Sequence, residues 1–227
     1  MRTCLQAPYP PFATHAYFFH GTEFVRAEVT PGSRNGKIIW GPSKIAEDWL
    51  ALAKASFHTL DAALPVPGHE GQAYFFSGIN YVRIKFRPGT GDQEIIFGPA
   101  RITDEFPSLA QAGFSTIDTA LPAPGLDGEA YFFSGARYCR VKIAPGTRND
   151  KITFGPALIA EEWKSLAHVG FSTIDAALPV TGHKNEAYFF SGSQYCRVKW
   201  VPGTPEEKVV FGPASIVEEW PSLRWGW

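Results

Sequence analysis

Glu129-Ala130-Tyr131-Phe132-Phe133-Ser134-Gly135 decides the fold, because the chain carries this stretch four times at one spacing. The other copies are His15-Ala16-Tyr17-Phe18-Phe19-His20-Gly21, Gln72-Ala73-Tyr74-Phe75-Phe76-Ser77-Gly78 and Glu186-Ala187-Tyr188-Phe189-Phe190-Ser191-Gly192, with a step of 57 residues. Pro-Gly pairs at Pro31, Pro88, Pro145 and Pro202 keep that step, as do Gly-Pro pairs at Gly41, Gly98, Gly155 and Gly212. Four such units fill the 227 residues, approximately 1-57, 58-114, 115-171 and 172-227. A repeat of this period signals a propeller, solenoid or array.

Outward from the stretch, the third copy gives the plan of one unit. Ser115 to Leu121, stopped by Pro122, reads as a first strand. Glu129 to Phe133 is a second. Arg137 to Ile143 alternates, with Cys139, Val141 and Ile143 on one face and Tyr138, Arg140 and Lys142 on the other, and forms a third. After the turn at Pro145-Gly146, Lys151 to Phe154 makes an outer strand ended by Gly155-Pro156. The period then changes: Ile159, Trp163 and Leu166 share one stripe of a short helix, as do Ile45, Trp49 and Leu52, Ile102, Phe106 and Leu109, and Ile216, Trp220 and Leu223. Pro107 and Pro221 limit two of these helices. Successive apolar residues such as Phe132 and Phe133 point to opposite faces, so each sheet must be covered on both sides. The expected architecture is therefore all-β, a four-bladed β-propeller with four antiparallel strands and a short helix per blade. Its ring is expected to close by packing, with the Trp225-Gly226-Trp227 tail, rather than by a strand exchanged between first and last blades.

Composition narrows the function. With 44% hydrophobic and 19% charged residues the chain can build an ordinary core, and a formal net charge of -1 gives no basic field for nucleic acid or anionic lipid. No apolar run approaches the length of a membrane-spanning helix. Met1 to Pro8 lacks the apolar centre of a secretory signal, which suggests a cytoplasmic or storage-type soluble protein, or a trimmed precursor. Cys139 and Cys196 stand where Val25 and Val82 stand in the first two units, so the site wants a small apolar side chain and the thiols are expected buried and reduced.

The pattern Ile-Asp-Ala-Ala, then Glu-Ala-Tyr-Phe-Phe-x-Gly-x-x-Tyr-x-Arg, then a helix, resembles the hemopexin-type repeat, four of which form a four-bladed propeller. Ala144 to Pro156 is similar to the seed albumin-2 proteins of legumes, which are non-enzymatic. The resemblance implies a ligand-binding protein taking haem or a polyamine such as spermine at a central tunnel, or cell-surface glycans as a multivalent lectin, or serving as a protein-docking scaffold. It also implies that main-chain carbonyls of the innermost strands hold calcium or sodium, and that main-chain amides hold an anion such as chloride. In this chain those carbonyls would belong to Cys4, Asp61, Asp118 and Asp175, with a second layer at Gln6, Ala63, Ala120 and Ala177. Cys4 and Gln6 depart from the Asp and Ala of the other copies.

The residues themselves leave two readings for Asp61, Asp118 and Asp175: a cation-attracting ring, or side chains that tie down backbone amides where the inner strand starts. His69 and His183, in equivalent loops of opposite blades, are candidate haem ligands. They also read as ordinary loop residues. Carboxylate pairs such as Glu161-Glu162 recur in every unit and read as solvated helix faces, and the strand-three arginines Arg26, Arg83, Arg140 and Arg197 read as partners of neighbouring acids. No catalytic constellation emerges, and a near-perfect repeat supplies the same residues four times rather than different ones in one place. The expected partner is a small molecule or glycan, and a homodimer is left open.

Overall fold

The computed structural model describes residues 3–8, 14–33 and 36–226. Trp227, part of the expected closing tail, lies outside them. Blade one consists of β1 (Thr3–Gln6), β2 (His15–His20), β3 (Glu23–Glu28) and β4 (Lys37–Lys44). Blade two has β5 (Ala62–Pro65), β6 (Gln72–Ser77), β7 (Asn80–Phe86) and β8 (Gln93–Arg101). Blade three has β9 (Thr119–Pro122), β10 (Glu129–Ser134), β11 (Arg137–Lys142) and β12 (Lys151–Leu158). Blade four has β13 (Ala176–Pro179), β14 (Glu186–Ser191), β15 (Gln194–Trp200) and β16 (Glu207–Ser215). Each sheet is antiparallel and built from consecutive strands in spatial order. The inner strands β1, β5, β9 and β13 contact one another in sequence around a central axis, so the fold is a four-bladed β-propeller.

The doubled phenylalanine explains why the ring forms. Phe75 is buried in the cluster shared with blade one, and its neighbour Phe76 in the cluster shared with blade three. Phe132 and Phe133 divide in the same way, as do Phe189 with Phe190 and Phe18 with Phe19. All eight are essentially inaccessible to water. Each such ring contributes about 1.5–3 kcal/mol only when a neighbouring blade covers it. One blade alone would leave one of every two exposed.

Three details differ from the sequence reading. The inner strand of blade three is short, beginning at Thr119 rather than Ser115, because Phe114 and Ile117 are spent on packing rather than pairing. The outer strand does not end at Gly155-Pro156 but runs on to Leu158 past a break in register opposite Arg140. Such a bulge absorbs an extra residue, and proline is tolerated on an edge strand. Gly155 is required there: its φ is +79°, and a Cβ would lie 2.9 Å from Tyr138 O.

The helical stripe is also divided. Blade one has α1 (Ile45–Asp48) and α2 (Leu50–Lys54), blade two α3 (Ile102–Glu105) and α4 (Pro107–Ala112), and blade three α5 (Ile159–Glu162) and α6 (Lys164–His168). Blade four has α7 (Ile216–Glu219) followed by a 3-10 segment, Pro221–Gly226. The break falls at Trp49, Phe106, Trp163 and Trp220 whether or not proline follows, so it goes with the docking of that ring between blades. Pro107 itself takes the first position of α4, where its missing N–H is no loss.

Among the described residues, one kind of polar link, from the start of an outer strand to a helix of the preceding blade, crosses three of the four blade junctions. Gln93 accepts the Ala51 N–H at 3.2 Å and donates to Asp48 O at 2.6 Å. Asp150 Oδ2 accepts the Ser108 N–H at 2.8 Å and the Ser108 hydroxyl. Glu207 Oε1 accepts the Ser165 N–H at 2.6 Å. In each case the start of one blade's outer strand satisfies a free N–H at the start of the preceding blade's second helix. At the fourth junction the equivalent position is Gly36, beside Ser222. That junction is closed by an apolar cluster in which Phe18 meets Trp220 at 5.8 Å, with Trp225 against His20 at 6.1 Å. Cys4, Cys139 and Cys196 are all free and buried. Burial pushes the thiols of Cys139 and Cys196 up to about 12, which keeps them protonated and inert.

Candidate functional site

Packing flat-faced blades into a ring leaves a groove at each junction, and the four grooves are built from equivalent residues. In blade three the walls are Tyr131, Tyr138, Phe154 and Trp163, the floor is Arg140, and the rim is Glu161 and Glu162; the Pro202-Gly203 turn of blade four closes the far side. The groove volumes are about 470, 560, 320 and 280 Å³ for the junctions three–four, four–one, one–two and two–three.

One aromatic residue in each groove runs against the hydrophobic pattern. Trp40, Phe97, Phe154 and Phe211 stand at one repeat position on the outer strand and are 54%, 44%, 37% and 46% exposed. Three pack on a strand-three tyrosine: Phe97 stacks on Tyr81 at 5.9 Å and Phe154 on Tyr138 at 5.7 Å, while Phe211 is tilted by 31° over Tyr195 at 5.8 Å. Trp40 is held instead by its Nε1, which donates to Asp48 Oδ2 at 2.7 Å. The helix tryptophans Trp49, Trp163 and Trp220, by contrast, are buried. Sequence reasoning missed the exposed set, although the aromatic that precedes each Gly-Pro pair was a signal open to it.

Beneath the aromatics lie the strand-three arginines, and their partners vary. Arg140 Nε lies 2.9 Å from Glu129 Oε2, and Arg197 Nε donates to Glu186 Oε2 at 2.6 Å, as expected of arginines paired with acids. Arg83 departs from that expectation: its Nε donates at 2.8 Å to Gln72, a neutral side chain. Arg26 stands close enough to Tyr17 to oppose the burial that raises that phenol's pKa. The helix carboxylates, read as solvated, are the groove rims: Asp48, Glu105, Glu162 and Glu219 each line one.

The second concentration of polar groups is axial. The Asp61 carboxylate accepts the Gly78 N–H at 2.7 Å, Asp118 accepts that of Gly135 at 2.6 Å, and Asp175 that of Gly192 at 2.7 Å. Each aspartate thus ties the start of its inner strand to the hairpin turn between strands two and three. Burial holds the Asp118 carboxyl above the usual carboxylate range, and the charges of Asp175 and Asp61 push it the same way, against the Gly135 hydrogen bond. Asp118 therefore senses the carboxylates of the blades on either side of it. The fourth position, Cys4, instead directs its Sγ to Ala177 O at 3.3 Å.

Register fixes where the inner main-chain groups point. Val66 N–H bonds to Gln72 O, Ala123 N–H to Glu129 O and Val180 N–H to Glu186 O, which turns the carbonyls of Ala63, Ala120 and Ala177 away from the partner strand and toward the axis. Gln6 holds the same place in blade one, where Ala7 N–H bonds to His15 O. Hard carbonyl oxygens of this kind suit calcium or sodium. Among the described residues no group of His, Cys, Asp and Glu side chains is arranged to hold a metal ion. His69 and His183 are exposed, each with Nδ1 against a carbonyl of its own turn, Pro67 O at 2.9 Å and Thr181 O at 3.2 Å. Among the described residues no helix is long and apolar enough to cross a membrane.

No protein-family model matches the chain. Individual proteins do. It is 30% identical over 212 residues to albumin-2 of Lathyrus sativus, covering 92% of this chain and 90% of that one. It is 27% identical over 219 residues to albumin-2 of Pisum sativum, covering 92% and 89%. Among solved structures, a 2S albumin seed protein from Dolichos superposes with a TM-score of 0.88 at 28% identity, covering 99% of this chain and 97% of that one. A plant albumin from Cicer arietinum, described as showing hemagglutination, gives 0.88 at 26% identity over 99% and 96%. A plant lectin from the same species, described as having two metal-binding sites, gives 0.86 at 26% identity over 98% and 96%. Similarity along nearly the whole length, on the same four-bladed ring, shows that this chain belongs to the albumin-2 family.

Proposed function

We propose that this protein is a non-catalytic, multivalent carbohydrate-binding protein whose four interblade grooves each seat a sugar against the exposed aromatic residue. The observation that carries this is the recurrence of Trp40, Phe97, Phe154 and Phe211, exposed at one position beside an arginine and a carboxylate. A sugar ring offers an apolar face for the aromatic and a hydroxyl edge for the charged groups. Fourfold repetition suits such weak sites, because sites on one rigid ring gain avidity without new contacts. The hemagglutination ascribed to the Cicer arietinum albumin supports this reading. In a red-cell agglutination assay and on a glycan array the native protein is expected to bind. Replacing all four aromatics by Ala should abolish agglutination while leaving circular dichroism unchanged, and full activity in that variant would refute the proposal.

A second reading concerns the axis. The influence of Asp175 and Asp61 on Asp118 favours a cation at that mouth, a metal ion or a polyamine such as spermine, and the two metal-binding sites ascribed to the Cicer arietinum lectin support it. Calorimetric titration with calcium and with spermine should show heat that Asp118→Asn weakens. No heat from either would sink this reading. Haem is tested alongside by its Soret band, with the His69→Ala, His183→Ala double variant as control.

A further inference from the structure

The four grooves share one plan, so a departure from it marks a difference in what a groove takes. At the strand-two position that holds the groove arginine, blades three and four have Glu129 and Glu186, whereas blade two has Gln72. We infer that the groove between blades two and three accepts the carboxylate of an acidic sugar, of the uronic or sialic type, on Arg83. The inference rests on the grooves being glycan sites and assigns one of them its ligand class.

Arg83 is only 6% exposed, yet it makes no salt bridge among the described residues, and its two terminal nitrogens make no hydrogen bond there. Buried charges are normally paired, because removing an ion from water is costly without a counter-charge. Neither acid that lines this groove makes a salt bridge to Arg83: Asp150 Oδ2 takes Ser108 while its Oδ1 is buried with no hydrogen-bond partner among the described residues, and Glu105 is held by Arg148 at 2.5 Å. A guanidinium fork bound only through Nε keeps its outer edge for a planar carboxylate, which it can grip by two parallel hydrogen bonds. Gly146, from the turn of blade three, borders the guanidinium: a Cβ there would stand 3.8 Å from Nη1. Phe97 lines the same groove and offers the sugar ring its stacking face. In blades three and four the arginine already has a carboxylate from its own sheet, so a ligand's acid would add a second negative charge.

The test compares a methyl glucuronide with the matching methyl glucoside by calorimetric titration, with acetate as a control. The native protein should prefer the glucuronide by about tenfold, and the Arg83 Nε–H resonance should move only with that ligand. Gln72→Glu recreates the pair of blade three, so the variant should fold normally. It should lose the preference while keeping glucoside affinity. Equal affinity for the two sugars, or a preference that survives Gln72→Glu, overturns the inference. Acetate binding as tightly as the glucuronide overturns its sugar component. Glucoside binding without acid preference refutes this inference alone, whereas binding of neither sugar together with a blank glycan array removes the groove reading and this inference with it.

Discussion

The junction between blades two and three and the junction between blades four and one bring together the same surfaces and are held differently. Both bury an aromatic cluster around the helix-break residue, Phe106 in the first and Trp220 in the second. At the first, Asp150 reaches across and satisfies both the N–H and the hydroxyl of buried Ser108. At the second, Gly36 has no side chain to reach with, and the hydroxyl of Ser222 is buried without a hydrogen-bond partner among the described residues. The ring is therefore uneven in its strand-to-helix attachment although nearly even in apolar contact, and blades four and one are joined instead near the axis by Cys4 Sγ on Ala177 O. A repeat can keep its hydrophobic plan while its cross-blade bonds differ from copy to copy.

Three variants break or sharpen that contrast. The largest effect is expected from Asp150→Ala, which leaves two buried donors unsatisfied and should cost about 2–4 kcal/mol. Thermal melting should show this as a fall of about 4–16 °C; a fall under a degree would mean that the link carries no stability. Next is the double variant Gly36→Gln, Ser222→Ala, which copies the Gln93 and Ala51 pair of the first junction. Removing the Ser222 hydroxyl also clears the nearest clash that a Cβ on Gly36 would meet, leaving the Cβ at position 222 at 3.3 Å. It should raise the melting temperature by about 2–4 °C, the return on one cap of about 1 kcal/mol. No rise would show that packing alone sets the strength of that junction.

The smallest effect concerns Glu207. Burial raises its pKa, against the hydrogen bond from Ser165, so the folded state holds this proton more tightly than the unfolded chain does. Its contribution to stability consequently falls as pH rises from the unfolded value through the raised folded value, and stays low above that. Glu207→Gln keeps an oxygen for Ser165 and removes the buried charge. Melting at pH 7 should rise by about 1–2 °C, and the gain should vanish near pH 4. An equal gain at both pH values would rule out the titration as its cause.

The contrast also marks how far the sequence could be read. The 57-residue step, the doubled phenylalanines and the alternation of Cys139, Val141 and Ile143 lead to four sheets in a ring, because periodicity and two-faced burial are local facts. The aspartate ties were half legible: a backbone amide was expected, but the one reached belongs to the hairpin glycine 17 residues on. The cross-blade links were not legible at all. Gln93, Asp150 and Glu207 differ in type, and each acts on an amide about 42 residues earlier in the chain, so repetition does not reveal them. The exposed aromatics were hidden by a fair assumption, that a phenylalanine in a strand is buried. Only the continuation of the outer strand through its bulge puts Phe154 on the groove lip.

Each sheet is woven from one continuous segment, with no strand borrowed from elsewhere in the chain. A blade can therefore complete its hydrogen bonds as soon as its own residues have left the ribosome, and growth of the chain can add wedges one after another. Until the last wedge arrives, the first keeps Phe18 uncovered. The period of greatest vulnerability to aggregation should thus fall late in synthesis, and it ends when Trp220 swings in beside that ring.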